Sequence, residues 1–186
     1  MEENSINNLV ALVKAGDEQA FGLLYDEYAD RLYRYICFKI TDRQEAENLL
    51  QEVFVKAWQG CRKLEQENLN FTSWIYTIAH NTVNDYFRRV YRRPQTVPLE
   101  PGLDIAAFDD TSEQTQKSFT EIHTRKALAK LPDKYKQVLE LRFLQELSVE
   151  ETAKVLQKNS IAVRVLQHRA IKQLQKIFTS LWTIKN

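Results

Sequence analysis

Ser148-Val149-Glu150-Glu151-Thr152-Ala153-Lys154-Val155-Leu156-Gln157 is followed at once by Lys158-Asn159-Ser160 and an apolar and basic run from Ile161 to Lys176. Ser148 with Glu151 three residues on is a full capping box, so a short helix opens here with Ala153 and Leu156 inside. A second, longer helix starts around Ser160. A short helix, a tight turn and a longer basic helix make a helix-turn-helix, with Gln157 where the turn usually has glycine. Wound at roughly 100° per residue, the long helix turns Val163, Leu166, Ala170, Leu174 and Ile177 inward. Ile161, Arg164, Val165, His168, Arg169, Lys172 and Lys176 point outward. That outer face holds several cations and no acid, as a helix entering a major groove would. A solvated basic end, favoured by the helix dipole, is the alternative.

Working back from this motif, Phe119, Ile122 and Leu128 mark a helix that ends at Leu131-Pro132. Asp133 is placed to cap the next, which carries Tyr135, Val138, Leu139 and Arg142. Between Pro94 and Ser118 the periodicity fails: Pro94, Pro98, Pro101 and Gly102 interrupt it, and Glu100, Asp104, Asp109, Asp110 and Glu113 dominate. Such a stretch reads as a linker, and it separates two blocks.

The first block is also helical. Ile6, Leu9, Val10 and Val13 repeat at helical spacing up to Gly16, a C-cap. A second helix from Asp17 carries Phe21, Leu24, Tyr25, Tyr28, Leu32, Tyr35 and Ile36. A third begins at Asp42 with Glu45 as an acidic capping box. Its inner side is Ala46, Leu49, Leu50, Val53 and Ala57. Its outer side is Glu47, Asn48, Gln51, Glu52, Val55 and Trp58, where Val and Trp among polar groups make a docking patch. Trp58 folded over the end of its own domain is the competing reading. The fourth helix starts near Thr72 with Ile75, Ile78, Ala79, Thr82, Val83 and Tyr86 inward. Tyr76, Thr77, His80, Asn81, Asn84 and Arg88 line its other side, with Trp74 at the margin and the run Arg88-Arg89 to Arg92-Arg93 following. Rings, amides and arginines on one face suit unpaired or distorted nucleic acid, through stacking, edge recognition and phosphate neutralisation. An ordinary solvated helix with a basic end is the alternative.

The fold class expected is therefore all-α: two small helical domains, residues 1–93 and 119–186, on a flexible acidic linker, 94–118. The composition agrees, with 44% hydrophobic and 27% charged residues and only 4 Gly and 4 Pro in 186 residues. The net charge of +1 hides a segregation, since no acidic residue follows Glu151. Two basic surfaces around an acidic spacer point to two contacts with a polyanion. Met1-Glu2-Glu3-Asn4 does not open a signal peptide, and no apolar run nears the roughly 18 residues of a membrane span. No membrane insertion and a cytoplasmic location are expected. Cys37 and Cys61 form no CxxC pair and read as reduced thiols; a redox pair would need a geometry that sequence does not give. No nucleotide-loop, zinc-protease or nucleophile-elbow motif occurs, and His80, His123 and His168 lack metal-ligand spacing. An enzyme, a metal site and a cofactor are thus not expected.

The run Glu45-Ala46-Glu47-Asn48-Leu49-Leu50-Gln51-Glu52-Val53-Phe54-Val55-Lys56-Ala57-Trp58 resembles region 2.2 of bacterial sigma factors. Phe71-Thr72-Ser73-Trp74-Ile75-Tyr76-Thr77-Ile78-Ala79-His80-Asn81, on to Asp85-Tyr86 and Arg88-Arg89, resembles the adjoining regions 2.3 and 2.4. Leu131-Pro132, Leu141-Arg142, Ser148 to Ala153 and Val163 to Ala170 resemble region 4. With those two domains alone, the chain is similar to the extracytoplasmic-function (ECF) group. The resemblance implies a subunit that brings core RNA polymerase to promoter DNA and helps melt it. Glu47, Asn48, Gln51, Glu52, Val55 and Trp58 would then bind the clamp helices of the polymerase's largest subunit, and the flap region of the polymerase is a further contact. Trp74, Tyr76, His80, Asn81, Asn84, Arg88 and Arg89, with the loop Gly60 to Asn70, would engage the melted minus-ten element. Arg164, Val165, His168, Arg169 and Lys172 would read the minus-thirty-five element. Relatives of this group are commonly held by an anti-sigma factor. The pattern usually has Thr at Ala162, a small polar residue at Val165 and Arg at Leu166. Their loss shifts contacts towards phosphates and thymine methyls. Rival readings are a stand-alone helix-turn-helix repressor and a pure interaction protein.

Overall fold

The helix ends follow from local chemistry. The computed structural model describes residues 3–63, 70–92, 127–128 and 130–183. The chain divides into an N-terminal and a C-terminal unit, and every regular element among the described residues is helical. The linker 94–118, Phe119 and Ile122, and most of the Gly60–Asn70 loop lie outside those residues.

Helix α1 (Glu3–Lys14) ends in a Schellman turn. Gly16 takes φ +97°, and the N–H groups of Gly16 and Asp17 donate to the carbonyls of Val13 and Leu12, each at 3.0 Å. Glycine tolerates this left-handed conformation because it has no Cβ. Asp17 caps α2 (Glu18–Cys37), accepting from the Gln19 and Ala20 N–H groups at 2.8 and 3.1 Å. Asp42 caps α3 (Arg43–Cys61) by accepting from the Glu45 N–H at 3.1 Å. Helix α4 (Phe71–Arg92) starts before the expected Thr72. Its cap is Asn70, whose side-chain oxygen accepts from the Ser73 N–H at 2.8 Å. The Thr72 hydroxyl is instead a tertiary contact, 2.7 Å from the Tyr28 hydroxyl. Asn accepts at least as well as Thr at a cap, which explains the shift.

These four helices bury one core: Leu24, Tyr28, Leu32, Tyr35 and Ile36 of α2; Ala46, Leu49, Val53 and Ala57 of α3; Ile75, Ala79 and Val83 of α4. Leu50 and Ile78, expected inside, are half-buried. Rings stitch the helices together, with Tyr28 on Phe71 at 5.4 Å, Tyr35 on Tyr76 at 5.6 Å and Tyr25 on Phe54 at 4.5 Å between centroids. Each such pair contributes about 0.5–1.5 kcal/mol beyond the area it buries.

In the C-terminal unit α5 (Asp133–Leu139) is capped by Pro132, and Asp133, expected as the cap, is the first helical residue. The Pro132 carbonyl accepts from Tyr135 and Lys136 N–H groups at 2.8 and 3.1 Å. Proline has no N–H to leave unpaired, and a carboxylate one residue on still favours the helix dipole. The helix widens into a π-helical turn, Glu140–Leu144, before α6 (Val149–Val155). The capping box forms both ways: the Ser148 N–H donates to Glu151 at 2.7 Å and the Glu151 N–H to the Ser148 hydroxyl at 3.0 Å. Gln157 turns the chain at φ +52°, a left-handed conformation that an L side chain occupies at a cost of roughly 1–2 kcal/mol. Asn159 then caps α7 (Ser160–Thr183), accepting from the Ala162 N–H at 2.7 Å. Leu131, Leu139 and Ala170 form the centre of the α5–α7 contact, with Leu128, Tyr135, Ile171, Leu174 and Ile177 packed around them.

Candidate nucleic-acid and protein interfaces

Helix α3 presents its polar edge away from the four-helix core. Asn48, Gln51 and Val55 are exposed, Val55 by 55%, while Glu47, Glu52 and Trp58 are half-buried. Glu47 is paired with Arg43 at 3.2 Å. Trp58 rests on Phe21 with centroids 5.0 Å apart, and the Arg62 guanidinium lies 5.5 Å over its ring. The indole therefore does both things the sequence left open: it closes the end of its own domain and keeps one edge at the surface. Phe21 and Tyr25 precede it on α2 at helical spacing, a row of rings that already points to such a closure.

Helix α4 departs from its expected wheel. Tyr76, expected outside, is fully buried against Tyr35. Burial pushes its hydroxyl up to about 12, against the lowering effect of the neighbouring Arg31 cation, to which it is hydrogen-bonded. The reason is packing on two sides: α4 touches both α2 and α3. Its buried arc is thus wide enough to include Ser73, Tyr76 and Thr82. Tyr76 is a core residue and presents no ring for a base.

His80 is half-buried, and its Nδ1 lies 3.1 Å from the Tyr35 hydroxyl. Burial, with a smaller repulsion from Lys39, lowers its pKa to about 4, so the ring is neutral at pH 7 and its tautomer decides which of Nδ1 and the Tyr35 hydroxyl donates. A base whose folded pKa lies below its unfolded value of about 6.5 adds stability in full above that value, and loses it as pH falls towards 4. The contribution is at most about 3 kcal/mol, and less because the ring is partly solvated. Urea unfolding of the full chain, followed by Trp fluorescence, is expected to lose more stability between about pH 6.5 and 4 than the same chain with His80→Gln. Equal losses would remove His80 from this account.

Trp74 is half-buried on Phe71 at 5.5 Å. A Cβ at Gly60 would meet the outer edge of its ring at 2.9 Å, so a side chain there would force the indole to shift. Asn81, Arg88 and Arg89 are exposed and Asn84 is half-buried. Arg88 pairs with Asp85 at 3.0 Å.

One contact joins the two faces and escapes a reading of either helix alone. The Glu52 carboxylate takes Lys56 at 2.7 Å on one oxygen and Arg89 of α4 at 3.5 Å on the other. Burial alone would raise its pKa, but the two cations outweigh this and hold it low. Lys56 also donates to the Thr82 hydroxyl at 3.1 Å. A residue of the α3 patch and an arginine of the α4 basic end thus share an ion pair.

On α7, Ile161, Arg164, Val165, His168, Arg169 and Lys172 are all exposed, and Val163 and Ala170 are buried. Arg164 lies 3.5 Å from Glu150 at the start of α6, both well exposed. Such a pair is worth about 0–1 kcal/mol and yields readily to a phosphate. Arg142 ties α7 to the turn before α6, donating to the Gln167 side chain at 3.1 Å and to the Leu147 carbonyl. The described residues hold no group of three or more His, Cys, Asp or Glu that could bind a metal, and no helix among them is long and apolar enough to cross a membrane. Cys37 and Cys61 are free thiols whose pKa values burial raises.

The family model for Sigma-70 region 2 matches residues 24–93 and that for Sigma-70, region 4 matches residues 127–176. The ECF RNA polymerase sigma factor BldN of Streptomyces coelicolor is 35% identical over 91% of this chain, which spans 64% of that longer protein. The ECF RNA polymerase sigma factor SigW of Bacillus subtilis is 31% identical over 94% of this chain and 97% of its own. In fold the chain resembles CnrH, solved in complex with the cytosolic domain of CnrY, at a TM-score of 0.70 and 22% identity over 95% of this chain and 98% of that one. It also resembles the sigma factor RpoE solved with the anti-sigma factor NepR from Bartonella quintana, at 0.63 and 20% over 86% and 96%. With both regions present in order, the chain belongs to the ECF RNA polymerase sigma factors, non-enzymatic subunits that confer promoter specificity at transcription initiation.

Proposed function

We propose a division of labour among three helices. The exposed edge of α3, Glu47, Asn48, Gln51, Glu52 and Val55 with the free edge of Trp58, docks on the clamp helices of the polymerase's largest subunit. Asn81, Asn84, Arg88 and Arg89 of α4, with Trp74 and His80 holding the helix in place, engage the minus-ten element. Arg164, Val165, His168, Arg169 and Lys172 of α7 read the minus-thirty-five duplex. Residues 1–93 and 119–186 act as the two domains, with 94–118 as the linker between them. The polymerase performs the chemistry, in the cytoplasm. An anti-sigma protein is a further partner, as NepR is for RpoE, and the polymerase flap region is another.

The observation that carries this reading is the difference in chemistry among the exposed helix faces. One helix offers an apolar residue among acceptors; two others offer cations with amides or small apolar groups. A stand-alone repressor needs only the last of these. Gel shifts distinguish them: the full chain alone is expected to bind promoter duplex weakly, and a stable complex to require core polymerase. Tight, sequence-specific binding without polymerase would favour the repressor.

A further inference from the structure

With Tyr76 in the core, α4 has one well-exposed ring among its described residues, and it is Tyr91, 61% exposed. The spacing Asn81, Asn84, Arg88, Tyr91 runs by three, four and three residues, which keeps all four on one stripe of the helix. The stripe is about 15 Å long at 1.5 Å per residue. Tyr91 is not a loose side chain. It stacks on Phe87, with centroids 6.2 Å apart and planes 28° from parallel, and Phe87 in turn packs edge-on against Tyr86 at 5.7 Å. The stack covers part of the ring and leaves 61% of the residue exposed, and Arg88 and Arg92 lie within a turn of it.

An apolar ring held open to water between arginines suits a flat, anionic partner. A nucleobase offers a π-face to the ring and its phosphates to the cations. The stack on Phe87 has already ordered the side chain, so little rotamer freedom is lost when a base covers the exposed part. We infer that Tyr91, backed by Phe87, is the base-stacking platform of α4 and takes an unpaired base at one end of the opened promoter strand. This rests on the minus-ten reading of α4 and extends it to Tyr91, two residues beyond the Arg88-Arg89 pair that ends the resembling run.

The test uses holoenzyme assembled from the full chain and core polymerase, on a fork-junction probe and the equivalent full duplex from a promoter mapped for this chain. Tyr91→Ala is expected to weaken fork binding by roughly 5- to 150-fold, the range found for one base–ring stack. Duplex affinity and core-polymerase affinity are expected to hold, and Tyr91→Phe to restore fork binding, because the ring and not the hydroxyl does the stacking. Equal loss on duplex, a Tyr91→Phe variant as weak as Tyr91→Ala, lost polymerase affinity or no loss at all would each overturn the proposal. Arg88→Ala serves as the reference: if it weakens fork binding and Tyr91→Ala does not, only the platform falls. If neither does, the minus-ten reading of α4 falls with it.

Discussion

Val55→Asp is expected to weaken binding of core RNA polymerase by roughly 100-fold, equivalent to about 3 kcal/mol. Val55 is 55% exposed in the free chain, so replacing it removes little internal packing, and surface changes of this kind shift stability by only about 0.5 kcal/mol. In a docked interface the same position is desolvated, and a carboxylate placed there without a partner costs several kcal/mol. Neighbouring Glu52 makes matters worse by like-charge repulsion one turn away. Gln51 is exposed on the same edge and serves as the milder probe, whereas Trp58 props Phe21 and would confuse docking with folding. Circular dichroism of the variant should match the parent. Undiminished co-purification with core polymerase would mean that α3 docks elsewhere or not at all.

The second large effect belongs to α7. Arg164→Ala with Arg169→Ala is expected to weaken holoenzyme binding to duplex by roughly 30-fold or more, since each bidentate arginine–base contact is worth about 1–3 kcal/mol. If both contact phosphate instead, the plot of log affinity against log salt becomes shallower by about 0.9 for each. The two modes are separable. Loss confined to the specific site marks base reading; uniform loss with a shallower slope marks phosphate contact. Ala162, Val165 and Leu166 offer no side-chain hydrogen bond to a base edge, and this favours a large share of phosphate contact. An unaltered affinity and slope would take the α7 face out of the DNA interface.

Much of this was legible in the sequence, and the failures have a common cause. The Ser148–Glu151 box, the caps at Asp17 and Asp42, the turn at Gly16 and the inward positions Val163 and Ala170 all depend on residues within a few positions of each other, and all were readable. So was the outward face of α7, because that helix is covered on one side. The wheel places Tyr76 outside because it assumes a single buried side, whereas α4 packs against α1, α2 and α3. A ring with a polar tip gives no sign of which side it takes. The Glu52–Arg89 bridge, 37 residues apart, and the Gly60–Trp74 approach are tertiary facts that no local pattern encodes. Asn70 takes the cap two residues before Thr72 with a group of similar capping ability, whereas Pro132 precedes Asp133 without any side-chain cap and leaves the carboxylate in the first turn.

Run-off transcription with core polymerase over a genomic library, followed by mapping of the start sites, tests the central claim most directly. The full chain is expected to direct initiation from a discrete set of starts sharing two upstream elements. Those starts should vanish with Val55→Asp, and with Arg164→Ala plus Arg169→Ala they should weaken without moving. Start sites that are the same with and without the chain would contradict the account.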